Sequence, residues 1–331
     1  MSKALLAGGG GFIGVHLARR LVEDGYRVDL VDDFSRGVPD EALAGLTSSG
    51  AARVLRRDLT REDSLDDVGD DYELVVHLAA IVGVRHVLER PLETLRANVL
   101  MLLPALAFAR RQRGLRRFLF ASTSEVYAGT LERSLLPVPT PEDALLALPD
   151  LGEPRTSYML SKLYGEALCR QAGVPFTIVR PHNVYGPRMG LSHVIPELLH
   201  RAHAAPDGGE LEVFSVDHRR TFCYVDDAVG MLAAALASPA CEGETLNVGR
   251  QEPEVSIGEL AGLIVDAVGK RLTIVPRPAT AGSPARRCPD MSKTRALTGF
   301  EPAVDLEDGI SRTYAWYAAH VFDDPSAAVA R

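Results

Sequence analysis

The chain has 331 residues, of which 46% are hydrophobic and 24% charged, enough to bury one large core with a second lobe beside it. Its formal net charge of −8 argues against a nucleic-acid-binding surface and against docking on anionic lipid, and no long polar tract points to disorder. The four cysteines, Cys169, Cys223, Cys241 and Cys288, form no CxxC pair, and the first residues read directly into structure, so a cytoplasmic protein with reduced thiols and no membrane-crossing run is expected.

In chain order, short aliphatic runs alternate with longer amphipathic stretches: KALLAG, FIGVHLARRLVEDG, RVDLVDD, then LVVHLAA, RRFLFAST and FTIVRP. Such alternation predicts βαβ units, a parallel sheet covered on both faces, and therefore a doubly wound α/β domain. After about residue 180 the pattern loosens into helical segments punctuated by Gly and Pro, which predicts a smaller C-terminal lobe. TLNVG and the preceding YVDDAVGMLAAALASP look sheet-associated, so the two lobes are expected to interleave.

The first strand runs into AGGGGFIG, where Gly8, Gly11 and Gly14 have the GxxGxxG spacing of a dinucleotide loop, followed by Phe12 and Ile13 opening a helix. The first glycine permits a tight turn, the second a close approach to pyrophosphate, and the third helix–strand packing. Asp32, 18 residues beyond Gly14 at the end of the next strand and with Asp33 beside it, is placed for the ribose hydroxyls. An acid there favours NAD over NADP, because a 2′-phosphate would meet its charge. Asp58, with Leu59, is placed for the adenine, and equally for a solvent-facing loop. These signals assign residues 1–180 to an NAD-binding Rossmann domain to which 224–250 return, and 181–223 with 251–331 to a substrate lobe.

Farther on, SYMLSK sets Tyr158 and Lys162 one helical turn apart, so that the ammonium can lower the phenol pKa and the phenolate can act as a base. They follow a strand that ends in Thr123. The histidines form no metal-ligand cluster, so no metal is expected, and His77 reads as a core residue.

At these residues the chain resembles the extended short-chain dehydrogenase/reductases that act on nucleotide sugars. The resemblance runs through GGGGFIG, VDDFSRG, HLAA, STSEVY, YMLSK, RPHNVYGPRM, RRTFCYVDD, LNVG and ARRCPDMSK in order. It implies a catalytic triad of Thr123, Tyr158 and Lys162, a nicotinamide end lined by Leu78, Ala79 and Ala80, and a homodimer formed through two helices per subunit. It places Asn183 near the substrate diphosphate, and Arg220 with Arg286 or Arg287 against phosphate or sugar oxygens. Arg85 and Arg188 are further candidates for charge complementarity. Relatives share a first step in which the sugar 4-hydroxyl is oxidised. In 4,6-dehydratases an Asp-Glu pair follows the triad Thr, whereas Ser124 and Glu125 stand here, which removes the proton donor for water loss. Thr-Ser-Glu is similar instead to the UDP-glucuronate decarboxylases, with Arg220 and Glu125 bracketing C5 and C6, and UDP-xylose, with some UDP-4-keto-pentose, as product. Ala7, Ala128 and the stretch GPRMGLSHVIPELLHRAH depart from that pattern. A 4-epimerase, a 4,6-dehydratase with a substituted acid, and a non-catalytic NAD sensor are the rival readings.

Overall fold

The computed structural model describes residues 2–280 and 283–323; the end of the expected substrate lobe, 324–331, lies outside them. β1 (Lys3–Ala7) leads through α1 (Phe12–Glu23) to β2 (Arg27–Asp32), and α2 (Glu41–Ser48) to β3 (Ala52–Arg56). β4 (Leu74–His77) then passes through α3 (Val84–Glu89) and α4 (Pro91–Arg110) to β5 (Arg117–Ala121). A 3₁₀ turn at Ser124–Tyr127 and α5 (Ala128–Glu132) precede α6 (Pro154–Gln171), which delivers the chain to β6 (Phe176–Pro181).

Beyond β6 come β7 (Val184–Tyr185), α7 (Val194–Ala204), β8 (Glu210–Phe214), β9 (Arg219–Arg220) and β10 (Cys223–Tyr224). α8 (Val225–Ala237) then brings the chain back as β11 (Thr245–Val248), and the remainder forms β12 (Val255–Ser256), α9 (Ile257–Val268), β13 (Thr273–Arg277), β14 (Arg286–Arg287), α10 (Ser292–Thr298) and α11 (Leu306–Tyr317).

The main sheet has seven strands in the order β11-β6-β5-β4-β1-β2-β3, with every neighbouring pair parallel. Its central strands carry residues such as Leu5, Leu6, Val75, Val76, Phe118 and Leu119 with no more than 1% exposure, on both faces, which is why they read as unbroken aliphatic runs rather than as alternating patterns. Each fully buried Leu or Phe contributes roughly 1.5–3 kcal/mol. The order reverses between β1 and β4, and at such a switch point a crevice opens beyond the carboxyl ends of the strands. A three-stranded sheet, β12-β9-β14, and the pairs β10-β7 and β13-β8 belong to the segments outside the main sheet.

α4 is 20 residues long and has the length and apolar composition of a membrane span, which corrects the expectation that no run of the chain does. Half of it is buried against the protein, including the polar Thr94 and Asn98, and it packs on α6. Asn98 bonds the backbone of Ile81 and the Ser161 hydroxyl, so this helix is tied to the sheet by polar as well as apolar contacts.

Candidate active site

The glycine loop lies directly against the strand end beside it. Gly8 has φ +80°, and a Cβ there would stand 2.6 Å from the Ala79 nitrogen; a Cβ on Gly14 would stand 2.4 Å from the Gly8 carbonyl oxygen. Only glycine fits either position. The Gly10 amide donates to Asp32 Oδ2 at 2.9 Å and the Phe34 amide to Oδ1 at 2.9 Å, so the end of β2 is locked to the loop. Burial raises the Asp32 pKa, and these amide bonds oppose the rise.

A cavity of about 480 Å³ runs from this cradle to the end of β5, with Gly8, Gly11 and Asp32 at one end and Thr123, Tyr158 and Asn183 at the other. Phe12, Ile13, Gly14, Asp33, Leu59, Leu78, Ala79 and Ala80 also line it. The close-packed glycine cradle and the acid beside it fit a dinucleotide. Asp33 caps its own turn through Ser35. Asp58 is exposed and lies outside the lining, its carboxylate accepting from the Thr60 amide and hydroxyl at 2.8 and 2.7 Å.

Thr123 ends the β5 segment and caps the 3₁₀ turn, its Oγ1 accepting from the Glu125 amide at 3.2 Å. The Thr123 and Tyr158 hydroxyls share a hydrogen bond. Lys162 donates to the Ala121 carbonyl at 2.8 Å and stands 5.9 Å from the centre of the Tyr158 ring. Burial pushes the Tyr158 phenol up to about 12, which the bond to Thr123 partly offsets, and pulls Lys162 down to about 8. Near pH 7 the phenol is therefore neutral, whereas the Tyr/Lys spacing alone suggests a lowered pKa. Desolvation of the phenolate, with Glu125 adding to it, outweighs the help of Thr123 and Arg36, and the Lys162 ammonium is fixed to a backbone carbonyl.

Behind this segment a buried network holds the end of β5 to α6 and β6. Ser122 donates to Glu166 at 2.6 Å, and Arg180 grips both Glu166 oxygens at 2.9 and 2.8 Å. Arg180 also donates to the Tyr127 hydroxyl at 2.8 Å, which donates to Asn247 at 3.2 Å. His77 is buried and stacked on Phe120, in the core.

The arginines divide sharply. Glu125 Oε1 accepts from Arg287 Nη1 at 2.9 Å, and both residues line the cavity. The Arg287 guanidinium holds the Glu125 carboxyl below its usual range against the cost of burial, with Arg155 and Arg220 adding to the effect. Arg286, the neighbour of Arg287 on β14, instead forms a bidentate pair with Glu254 at 2.7 and 2.8 Å, outside the cavity. Successive residues of a strand face opposite ways, so only one of the two can reach the site.

Arg220 is buried but does not line the cavity. Its guanidinium donates to Arg219 and Pro284 carbonyls and to Ser283 Oγ, and burial lowers its pKa to about 10. Two other expected substrate arginines are corrected outright. Arg85 is 87% exposed and pairs with Glu89 one turn on, away from the cavity. Arg188, buried at φ +71°, donates to Asp40 at 2.6 Å, to Val38 O at 3.0 Å and to Gly11 O at 3.2 Å, and so clasps the cofactor loops together. Asn183 lines the cavity while its side-chain amide donates to Thr221 O at 2.9 Å.

Among the lining residues that were not anticipated, Arg36, Arg57, Arg155 and His193 carry titratable side chains. Arg155 was findable, since it precedes Tyr158 by three positions on α6 and must share its face.

A parallel doubly wound sheet with a glycine cradle, an acid at the end of β2 and a Thr–Tyr–Lys group at the far end of one cavity defines a short-chain dehydrogenase/reductase-type site whose cofactor is NAD. The chain matches the NAD dependent epimerase/dehydratase family over residues 4–249 and belongs to it. It is 32% identical to a UDP-N-acetyl-alpha-D-glucosaminuronate decarboxylase of Bacillus cytotoxicus, across 95% of this chain and 97% of that one. It is 30% identical to UDP-glucuronic acid decarboxylase 1 of Danio rerio, across 96% of this chain and 72% of that one. Among solved structures, a UDP-glucuronic acid 4-epimerase of Bacillus cereus bound to UDP-glucuronic acid and NAD aligns with a TM-score of 0.82 at 28% identity, covering 96% of this chain and 99% of that one.

Proposed function

We propose that this protein decarboxylates a UDP-linked uronic acid, with UDP-glucuronate as substrate and UDP-xylose as product. The observation that carries this reading is Glu125 beside Thr123, ionised and paired with Arg287 at 2.9 Å, with Ser124 where water loss from C6 would need an acid. Two relatives bearing the names of uronate decarboxylases support it.

NAD, which Gly8, Gly11 and Asp32 would hold, would supply the acceptor for the C4 hydride and its later return. Tyr158 takes the 4-hydroxyl proton, and Thr123, bonded to Tyr158, holds the oxygen that loses it. The sugar is then a β-keto acid: the C5–C6 bond breaks, CO₂ leaves, and the electron pair is held as an enolate through C4. A proton drawn from solvent forms the new C5–H bond, and Tyr158 gives its proton back to the C4 oxygen. One proton is consumed and one CO₂ released per turnover. No step expels a hydroxyl, so Ser124 in place of an acid is no handicap.

Incubation with NAD⁺ and UDP-glucuronate, followed by mass spectrometry, is expected to yield CO₂ and a UDP-pentose. UDP-galacturonate without CO₂ would make the protein an epimerase, as the name of its structural neighbour suggests, and would overturn the reading. UDP-N-acetylglucosaminuronate in parallel reads the C2 substituent, which the relative from Bacillus cytotoxicus leaves as the second choice.

A further inference from the structure

Lys162 carries its ammonium into the interior of the protein, with 3% exposure. A buried charge is costly unless something takes the place of water, and the ordinary partner of an ammonium is a carboxylate. The titratable groups around Lys162 do not supply one. Tyr158 and Cys169 on α6 keep their protons near pH 8 because they are buried, and burial also keeps His77, at the end of β4, neutral. Glu166, one turn along α6, is held by Ser122 and by both arms of Arg180. What Lys162 meets instead is the Ala121 carbonyl at 2.8 Å and two aromatic rings, with Nζ 5.1 Å from the centre of Phe120 and 5.9 Å from that of Tyr158.

The two rings differ in how they are held. Tyr158 lines the cavity, whereas Phe120 is 2% exposed and lies within the core. His77, paired with it in register across β4 and β5, stacks on its ring at 5.9 Å with the planes 13° apart. The outer edge of the same ring meets α6 at Gly165, where a Cβ would stand 2.3 Å from Phe120 Cζ. Glycine is a poor residue for a helix interior, and at position 165 the ring accounts for it. The face of an aromatic ring is the negative side of its quadrupole, so an ammonium within about 6 Å of the ring centre is attracted to it, most strongly where water is excluded.

We propose that Phe120 is a positioning residue for the reaction: its ring, fixed by His77 and by the gap at Gly165, holds Lys162 in place as a charged ammonium beside Tyr158. Phe120 touches no reacting atom and acts through Lys162 alone. The inference applies to any sugar oxidised at C4 in this site, and so goes beyond the uronate reading without depending on it. The sign is fixed by the chemistry. Without the ring the protonated form of Lys162 is less stable, so Lys162 loses its proton at lower pH and the alkaline limb of kcat/KM falls earlier.

The test exploits the four lysines of the chain, Lys3, Lys162, Lys270 and Lys293. In protein labelled with carbon-13 in lysine alone, the side-chain NMR signal missing from Lys162→Met belongs to Lys162. Titration of that signal in the NAD-saturated protein is expected to move about one pH unit lower in Phe120→Leu and in Phe120→Met, with the alkaline bend of kcat/KM moving with it. Leu119→Val disturbs the core on the opposite face of β5 and should leave the Lys162 signal where it is. No movement in the Phe120 variants would overturn the proposal. Movement to higher pH would too, since the ring would then act only by excluding water, and so would an equal fall in Leu119→Val, which would make the shift a consequence of any weakened core. A lysine signal that moves while the kcat/KM bend stays would remove Phe120 from the reaction. Phe120→Met keeps most of the side-chain volume and reads the proposal if Phe120→Leu fails to fold. The lysine titration needs no substrate, so absence of CO₂ from UDP-glucuronate would sink the uronate reading while this proposal is still decided by the Lys162 signal.

Discussion

Tyr158 keeps its proton near pH 7 because burial strips the phenolate of water, and Lys162, one helical turn on with a pKa of about 8, is a neighbouring cation whose charge favours the phenolate. The sign of the pH dependence follows. The base form of Tyr158 grows with pH, so kcat/KM is expected to rise from pH 6, and to bend near pH 8 where Lys162 loses its charge and stops stabilising the phenolate. A pH–rate profile of Lys162→Met should lack the bend and lie about 10²-fold lower; an unchanged profile would remove Lys162 from the chemistry. Glycines at positions 8 and 14, the acid at 32 and the Tyr/Lys spacing were all legible as residues, because glycine spacing and a helical turn are short-range patterns, although Gly8 meets Ala79 and Asp32 meets Gly10 only in the fold. The height of the Tyr158 pKa was not, since it is set by the depth at which α6 lies against β5.

At the scale of elements, the two loops that frame the cofactor end are joined by one residue from beyond β7. Arg188 binds Asp40, Val38 and Gly11 together, so Arg188→Ala is expected to weaken NAD binding about tenfold, measured by fluorescence titration, with kcat at saturating NAD nearly unchanged. Unaltered NAD affinity would mean that the clasp holds nothing the cofactor needs. The Glu166–Arg180 pair joins α6 to β6 in the interior, with both side chains no more than 6% exposed. Glu166→Gln leaves a buried guanidinium without its counter-charge, and a loss of about 3 kcal/mol in urea unfolding is expected. Arg85 and Arg188 show why charged residues are hard to place from sequence. Both were expected at the substrate; the partner of Arg85, Glu89, sits one turn away, a spacing present in the sequence that the expectation did not use. The partner of Arg188 lies 148 residues earlier, beyond any local spacing.

On the scale of the whole molecule, α4 and α6 pack together yet leave Leu92, Leu103 and Tyr164 exposed at 77%, 42% and 52%. Such apolar exposure on adjacent helices predicts a homodimer through this pair. Sedimentation should give twice the monomer mass, and Leu103→Glu should shift it toward monomer at micromolar concentration; a monomeric parent protein would refute the interface.

The alternation of aliphatic and amphipathic segments was enough to read the doubly wound sheet, and its motifs were enough to read the cofactor and the Thr–Tyr–Lys group, since periodicity and tight turns are short-range properties of a chain. Which arginine faces the sugar end was decided only by the folded molecule. Arg286 and Arg287 are neighbours with opposite fates because β14 pairs with β9 in one register and not the next, turning Arg287 toward Glu125 and Arg286 toward Glu254. Charge partners that meet across a cleft come from distant parts of the chain, and nothing in the local pattern of either segment specifies the meeting.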